Sequence, residues 1–298
     1  MFVTHCAICG SKEKIKELYK ENFDVKKIDS ATFSARRTPD RIHYRFVKCL
    51  GCGLIFSNPI LEQDKISSLY LKSDFYYSDE SEYLKETYWL NLNRFLPNKE
   101  MEKLKLLDIG CGNGFFLEKA KDMGISEIFG VEPGRASIKK ARKDIRIRIK
   151  TGILKQGIYN TGKFDIITCF HTLDHIVDPN LFLRITFSLL KKRGMAFFIV
   201  HNTDGLSVKL FREKSPIFDI EHIYLFNPQT LAKIFENNKF RNFQVFDIKN
   251  RYPLKYWFRM SPLPRGIKER VFKFLDLVKI DSLPLSLSAG NIGIVAYK

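Results

Sequence analysis

The chain has 298 residues, enough for one large domain and a small one, and it is strongly basic. A formal net charge of +17 raises nucleic acid or an anionic membrane as a partner, but the lysines are scattered among Ile, Phe and Asn along the chain. No apolar run reaches the roughly 20 residues of a membrane span, and the N-terminus lacks the order of a signal peptide. We therefore expect a cytoplasmic protein without a transmembrane segment.

Four of the six cysteines form two C-x-x-C pairs, Cys6 with Cys9 and Cys49 with Cys52. This spacing places two thiolates within reach of one tetrahedral ion, and the glycine after each pair lets backbone N–H groups turn toward sulfur. Disulfides are disfavoured in a reducing cytoplasm, and a redox C-x-x-C would begin a helix. We expect these cysteines to bind a structural zinc in a zinc-ribbon-like module over residues 1–60.

The next part of the chain is helical and leads into an alternation of strands and helices. Helical periodicity at residues 62–71 and 81–96 predicts a linker over residues 61–100 that covers a ligand site. The alternation from Leu104 onward is typical of βαβ units with a parallel sheet. Asp178 and Pro179 predict the start of a helix, which we expect to end at Gly194.

An apolar strand runs into a glycine-rich turn at residues 106–114. Gly110, Gly112 and Gly114 let the backbone bend sharply and lie against a ligand. Glu132 ends the next apolar run, where a carboxylate can accept hydrogen bonds from both ribose hydroxyls. A dinucleotide fingerprint would need a third glycine where this chain has Phe115. The pattern therefore predicts a nucleoside site that suits S-adenosylmethionine better than NAD.

These residues resemble the class I, Rossmann-like, S-adenosylmethionine-dependent methyltransferases, and the resemblance continues through residues 131–134, 164–169 and 173–179. It implies an α/β fold, with a mostly parallel seven-stranded sheet flanked by helices, in a methyltransferase domain over residues 101–298. It also implies S-adenosylmethionine as the cofactor. We expect the cofactor site to contain Asp108, Gly110, Cys111, Gly112, Asn113, Gly114, Glu132, Pro133, Ile153, Phe170, His171, Asp174, His175 and Tyr76.

The chain departs from the family pattern at two of these positions. Asp174 stands where the family often has Glu, and residues 151–154 lack the acidic residue that commonly binds the adenine amino group. We expect backbone groups and Ile153 to contact adenine instead. Tyr76 belongs to an aromatic stretch that resembles an aromatic pair in the same relatives. This stretch either closes over the cofactor or substrate or packs between helices.

The long connection over residues 201–226 follows the carboxyl end of a strand, where open α/β sheets bind ligands. It contains Glu221 and His222, in a stretch that resembles the E-H-x-x-x-F region of zinc-knuckle methyltransferases acting on sugars. We expect His222 to act as general base and Glu221 to position the acceptor. The alternative is that His222 only packs under the start of the following helix. His171 and His175 are then the next candidates for the base.

A basic and aromatic segment over residues 251–282 has two interpretations. The favoured one is a lid over the cleft, with Phe272, Leu275 and Val278 forming a buried stripe. The other is an interfacial amphipathic helix near residues 267–279, which leaves peripheral membrane contact open.

The favoured acceptor is a small polar molecule, a nucleotide-linked sugar or another glycan precursor. Its first rival is RNA, presented by the zinc ribbon and the basic surface, although no clustered basic stripe lies near the cleft. A rival from another class is an inactive module for cofactor binding or assembly. The retained Asp108, loop glycines and Glu132 argue against that rival.

Overall fold

The computed structural model describes residues 1–25, 28–29, 32–33, 41–72, 80–96, 100–261, 263–288 and 290–298. Tyr76, an expected cofactor residue, lies outside the described residues. The strands of this part are β1 (Ile15–Tyr19), β2 (Phe46–Cys49), β3 (Ile55–Ser57), β4 (Lys105–Ile109), β5 (Glu127–Glu132), β6 (Ile149–Thr151), β7 (Phe164–Phe170), β8 (Leu190–His201), β9 (Tyr224–Leu225), β10 (Arg241–Asp247), β11 (Asn250–Pro253), β12 (Pro284–Leu287) and β13 (Asn291–Tyr297).

The α-helices of the same residues flank these strands. They are α1 (Gln63–Lys72), α2 (Glu80–Asn93), α3 (Phe115–Asp122), α4 (Arg135–Lys140), α5 (Lys143–Arg146), α6 (Pro179–Leu189), α7 (Leu206–Phe211), α8 (Pro228–Asn237), α9 (Leu254–Met260) and α10 (Arg265–Leu277). Within the described residues, none of them is both long enough and apolar enough to cross a membrane.

The large sheet has seven strands in the order β10-β13-β8-β7-β4-β5-β6. Strands β8, β7, β4, β5 and β6 run parallel to one another, whereas β13 runs antiparallel to both β8 and β10. The predicted α/β fold with a mostly parallel seven-stranded sheet is confirmed. From β4 the chain proceeds outward to β5 and β6, and then returns to β7 on the other side of β4. This switch point opens a crevice at the carboxyl ends of β4 and β7.

A smaller antiparallel sheet has the order β1-β2-β3-β9. Its first three strands come from the N-terminal 60 residues, but β9 belongs to the long connection after β8. Ile55 of β3 pairs with Leu225, and Phe56 pairs with Tyr224. The two C-x-x-C pairs therefore lie in a module that is hydrogen-bonded to the segment carrying Glu221 and His222.

Helix α6 starts as predicted, since the side chain of Asp178 accepts a hydrogen bond from the backbone N–H of Leu181 and Pro179 follows. Its predicted end at Gly194 is wrong, because α6 ends at Leu189 and Gly194 lies inside β8. The backbone N–H of Lys298, directly after β13, donates to the carbonyl of Gly194, so pairing with the neighbouring strand decides the conformation. A local helix-ending signal cannot register this partner more than 100 residues away.

The stripe predicted on α10 is only partly buried. Leu275 is buried, but Val278 is 42% exposed, and Phe274 on the same helix is 59% exposed. Helix α10 therefore packs through a narrow line of contact and leaves a second apolar face in solvent.

Candidate functional site

The glycine-rich turn lies directly after β4, at the switch point of the sheet. Gly110, Gly112 and Gly114 have φ angles of 74°, 57° and 74°, which side chains other than glycine rarely adopt. A Cβ on Gly110 would overlap Thr172, and one on Gly114 would lie 2.6 Å from Cγ2 of Ile145. Both the conformation and the close packing of this turn require glycine.

Glu132, at the carboxyl end of β5, is hydrogen-bonded to the turn. Its Oε2 accepts from the backbone N–H of Gly112 at 2.9 Å, and its Oε1 accepts from the N–H of Gly134 at 2.7 Å. A carboxylate has about four acceptor sites, so both oxygens can still accept from a ligand hydroxyl. Burial raises the pKa of Glu132, and the two N–H groups oppose this shift.

Asp108 lies beneath the turn rather than against the cavity. It is 2% exposed, and its Oδ1 accepts a hydrogen bond from Oγ1 of Thr168 at 2.7 Å. Burial raises the pKa of this carboxyl to about 8, with a further increase from the charge of Glu132. In this position Asp108 is hydrogen-bonded between β4 and β7 directly before the turn.

A cavity of about 850 Å³ extends from the turn to the long connection after β8. This volume is near the upper end for small-molecule sites, so the cavity has room for more than one compound. Most of the predicted site residues line it. They are Gly110, Gly112, Glu132, Pro133, Ile153, Phe170, His171, His175, Glu221 and His222. The predicted residues Asp108, Cys111, Asn113, Gly114 and Asp174 are not among those that line it.

His222 has a hydrogen-bond pattern that suits a base. Its Nδ1 lies 2.7 Å from the carbonyl of Ile217 and must donate to it, which leaves Nε2 as an acceptor. Burial, together with the neighbouring rings of His201 and His175, lowers the pKa of His222 well below its ordinary value of 6.5. The imidazole is therefore neutral at pH 7 and able to accept a proton.

Asp174 and His201 form a second polar pair beside His222. Oδ2 of Asp174 lies 2.5 Å from Nδ1 of His201, and the ring centroids of His201 and His222 are 4.5 Å apart. Burial by itself raises the pKa of Asp174, but the charge and hydrogen bond of His201 outweigh it and hold that pKa well below its usual range. The carboxylate thus fixes the orientation of the His201 ring at the cavity wall.

His175 completes a group of histidines around the same space. Its Nδ1 lies 2.7 Å from the hydroxyl of Tyr70, and its ring centroid lies 4.9 Å from that of His222. Burial lowers the pKa of His175 to about 4, and Asp174 partly offsets this shift. The rings of His175 and His222 are therefore both neutral at pH 7.

Two residues that the sequence analysis did not single out belong to this group, namely Tyr70 and His201. His201 ends β8 beside the carboxyl end of β7, as the backbone hydrogen bond from His171 N–H to the Ile199 carbonyl requires. Its position at the carboxyl end of a predicted strand, where open α/β sheets bind ligands, could have identified His201 as a site residue. Tyr70, on α1, approaches the site only through tertiary packing, so the sequence carried no signal for it.

The four paired cysteines converge at the N-terminal module. Sγ of Cys6 lies 3.3 Å from that of Cys52, Sγ of Cys9 lies 3.5 Å from that of Cys49, and all four sulfurs lie within 4.8 Å of one another. Burial raises the pKa of Cys49, but the backbone N–H groups of Cys52 and Gly51, with the Cys9 thiol, lower it to about 7. A tetrahedral ion bound at about 2.3 Å needs similar sulfur separations, so the donor set fits zinc.

A family model for the methyltransferase domain matches residues 81–245, more than half of the chain. The chain belongs to the S-adenosylmethionine-dependent methyltransferases. Gly110 and Gly112 of its glycine turn, and Glu132, line the cavity. The expected assignment to class I, with an α/β fold and an enzymatic function, is thus confirmed.

Individual relatives define the similarity further. The chain is 33% identical over 124 residues to the ubiquinone biosynthesis O-methyltransferase of Bartonella quintana. This alignment covers 39% of this chain and 49% of that protein. It is 27% identical over 168 residues to the tRNA U34 carboxymethyltransferase of Campylobacter hominis, covering 54% of this chain and 59% of that protein. The chain thus spans about half the length of the curated relatives it matches.

Among solved structures, the fold is similar to that of a SAM-dependent methyltransferase from Archaeoglobus fulgidus. The TM-score is 0.50 at 19% sequence identity, over 74% of this chain and 97% of that one. This methyltransferase domain therefore shares its architecture with proteins that retain little of its sequence.

Proposed function

We propose that this methyltransferase transfers a methyl group to a small polar acceptor, a nucleotide-linked sugar or another glycan precursor, with His222 as the general base. The observation that carries the proposal is the shared cavity. The glycine turn and Glu132 lie at one end of it, and His222, with its acceptor nitrogen free of the Ile217 carbonyl, lies at the other.

The chain's own residues divide the work of the reaction. When bound, S-adenosylmethionine supplies a methyl group already activated on a sulfonium. Glu132 accepts hydrogen bonds from the ribose, and the glycine turn lets the backbone approach the cofactor. His222 takes the acceptor proton at Nε2, while Glu221, 8% exposed at the cavity wall, holds the acceptor. Alignment of donor and acceptor supplies the rest of the rate enhancement.

The zinc is structural in this proposal. Four cysteine ligands leave no open position for water or acceptor, so the ion takes no part in methyl transfer. The cysteine-containing module instead contributes to the site by holding the backbone of His222, because Oγ of Ser57 donates to the His222 carbonyl at 2.8 Å.

A polar acceptor is supported by the side chains at the end of the cavity away from the glycine turn. Asp219, Glu221, His175, His201 and His222 provide acceptors and donors for several hydroxyl groups within one wall. The curated relatives act on other acceptors by their names, so the class of acceptor comes from the chemistry of this wall and from the E-H-x-x-x-F resemblance.

The test is a screen of nucleotide sugars with a labelled methyl donor, using the wild type and His222→Ala. We expect turnover to fall roughly 100- to 10,000-fold in the variant, while affinity for S-adenosylmethionine stays within about twofold. His5→Ala, which changes an exposed histidine, is the matched control and should retain full turnover. Full activity of His222→Ala would assign the base to another residue, with His171 and His175 as the next candidates.

The pH dependence of turnover adds a second readout. Because the pKa of His222 lies well below 6.5, the neutral base persists into the acidic range. We therefore expect the acid limb of the wild-type profile below pH 6.5, rather than near neutrality as an exposed histidine would give, and its loss in His222→Ala.

A further inference from the structure

Several large apolar side chains of the C-terminal segment are exposed, and we call them together the apolar ridge. Leu277 is 79% exposed, Phe274 59% and Leu283 58%. These exposed fractions are high for large apolar side chains, which are usually buried. The ridge consists of Ile267, Phe274, Leu277, Val278, Ile280, Leu283, Leu285 and Leu287.

On α10 the ridge forms one face of the helix. Ile267, Phe274 and Val278 recur at intervals of seven and four residues and therefore share a side, whereas Leu275 faces the protein. Arg270 and Lys273 flank this face, and both are exposed.

The segment is also basic beyond the average of the chain. Residues 251–282 contain eight lysines and arginines against three acidic residues. Two of those acidic residues already have cationic partners, since Glu269 pairs with Arg265 at 2.9 Å and Asp276 pairs with Lys255 at 3.0 Å. An apolar face flanked by an excess of basic side chains matches an anionic membrane surface. The apolar side chains would contact the acyl chains, and the basic side chains would contact the lipid phosphates.

The ridge is continuous with the mouth of the cavity. Leu287 belongs to both, and Tyr256, Trp257 and Met260 of α9 line the cavity next to α10. Leu206 and Leu210 of α7 also line the cavity and are 54% and 63% exposed. Exposed apolar side chains of both α7 and β12 therefore line the cavity.

We propose that the apolar ridge docks this protein on an anionic membrane surface, with the mouth of the cavity facing the lipid. The acceptor, on the basis of the function proposed above, is then a polar group carried on a lipid, whose chain stays in the membrane while the group to be methylated enters the cavity. Phe274 and Leu277 supply apolar contact, and Arg270 and Lys273 supply electrostatic attraction.

Vesicle flotation tests the docking without cofactor or acceptor, so its outcome is independent of the proposed reaction. We expect the protein to float with vesicles of phosphatidylcholine and phosphatidylglycerol and to bind those of phosphatidylcholine alone about tenfold less. Phe274→Ser combined with Leu277→Ser should lower binding by about tenfold or more, and so should Arg270→Glu combined with Lys273→Glu.

Matched controls change similar side chains elsewhere. Ile147→Ser removes an apolar residue that is also 79% exposed, and Lys139→Glu with Lys140→Glu makes the same change of charge on α4; both should bind like the wild type. Equal binding by the ridge variants and the wild type, or no binding by the wild type, would overturn the proposal. So would a dimer that the Phe274 and Leu277 substitutions dissociate, because the ridge would then be an interface between two copies.

A second arm tests the lipid-carried acceptor. Cell extract and labelled methyl donor are incubated with the wild type, and the product is partitioned between chloroform and water. Label in the organic phase that depends on the enzyme and falls in Phe274→Ser/Leu277→Ser supports the assignment. Label confined to the aqueous phase, at a rate equal in both proteins, contradicts it.

Discussion

Glu132 is hydrogen-bonded to the backbone of the glycine turn, and its carboxylate is the group that we expect to bind the cofactor. Glu132→Ala removes a carboxylate that accepts from Gly112 and Gly134 and that we expect to bind the ribose. Hydrogen bonds to charged groups contribute about 1.5–3 kcal/mol each. We expect S-adenosylmethionine to bind at least about tenfold more weakly, as measured by calorimetry.

Glu127→Ala is the control for this prediction, since Glu127 begins the same strand but pairs with Lys105 at the surface. Its affinity for the cofactor should match that of the wild type. If Glu132→Ala and Glu127→Ala bind equally well, the carboxylate of Glu132 does not contact the cofactor.

Asp108 gives the folded protein a pH dependence of known sign. Its pKa is raised to about 8 in the folded state, from 3.8 without burial. Between these values the folded state keeps a proton that the unfolded state has lost, so its contribution to stability is present at low pH and falls as pH rises toward 8.

Asp108→Asn retains an acceptor for Thr168 and removes this titration. Between pH 5.5 and 7.5 we expect the free energy of unfolding of the wild type to fall by up to about 2.7 kcal/mol more than that of the variant. This difference corresponds to about 1.36 kcal/mol for each unit of pH. Denaturant unfolding at both pH values measures this difference. Asp122→Asn changes an exposed carboxyl and should show the same pH dependence of unfolding free energy as the wild type. If Asp108→Asn also shows the pH dependence of the wild type, the raised pKa of Asp108 is contradicted.

At the scale of elements, the pairing of β3 with β9 links the cysteine module to the candidate base. Ser57 contributes twice, because its backbone N–H donates to the carbonyl of Ile223 and its hydroxyl donates to that of His222. If the module holds zinc, loss of the ion loosens β2 and β3 and with them the segment that carries His222. The cofactor turn lies on the other sheet.

This arrangement predicts a separation of effects in two variants. Cys49→Ser should lose bound zinc and reduce turnover more than about tenfold, with cofactor affinity reduced far less. Ser57→Ala should retain one zinc per chain, by elemental analysis, and show a smaller loss of turnover, since it removes a single hydrogen bond of about 1 kcal/mol. Zinc retained by Cys49→Ser, or equal losses of turnover and cofactor affinity, would count against the link.

At the scale of the molecule, the net charge of +17 must attract polyanions whatever the acceptor is. Binding through scattered lysines is a counterion-release effect and falls steeply with salt. We expect RNA to bind at about 50 mM salt, to dissociate by about 200 mM, and to accept no labelled methyl group. RNA that stays bound and becomes methylated at the higher salt would favour RNA as the acceptor over a glycan precursor.

The sequence by itself determined the features whose cause is local. The glycine-rich turn, the acidic residue at the end of the next strand and the alternation of strands and helices each follow from short-range conformational rules. The fold, and the position of Glu132 beside the glycine turn, were therefore predictable. The two C-x-x-C pairs likewise predicted a cluster of four sulfurs, because the spacing within each pair brings two of them together.

Only the tertiary structure decided the features that join distant parts of the chain. The contact of Tyr70 with His175, the alignment of His201 by Asp174 and the pairing of β3 with β9 each depend on packing between segments that no local pattern connects. The same holds for Gly194, where strand pairing displaced a helix end, and for α10. Periodicity shows that α10 has apolar faces, but which face is buried depends on the elements that pack against the helix. In the folded protein Leu275 is buried and Phe274 is exposed to solvent.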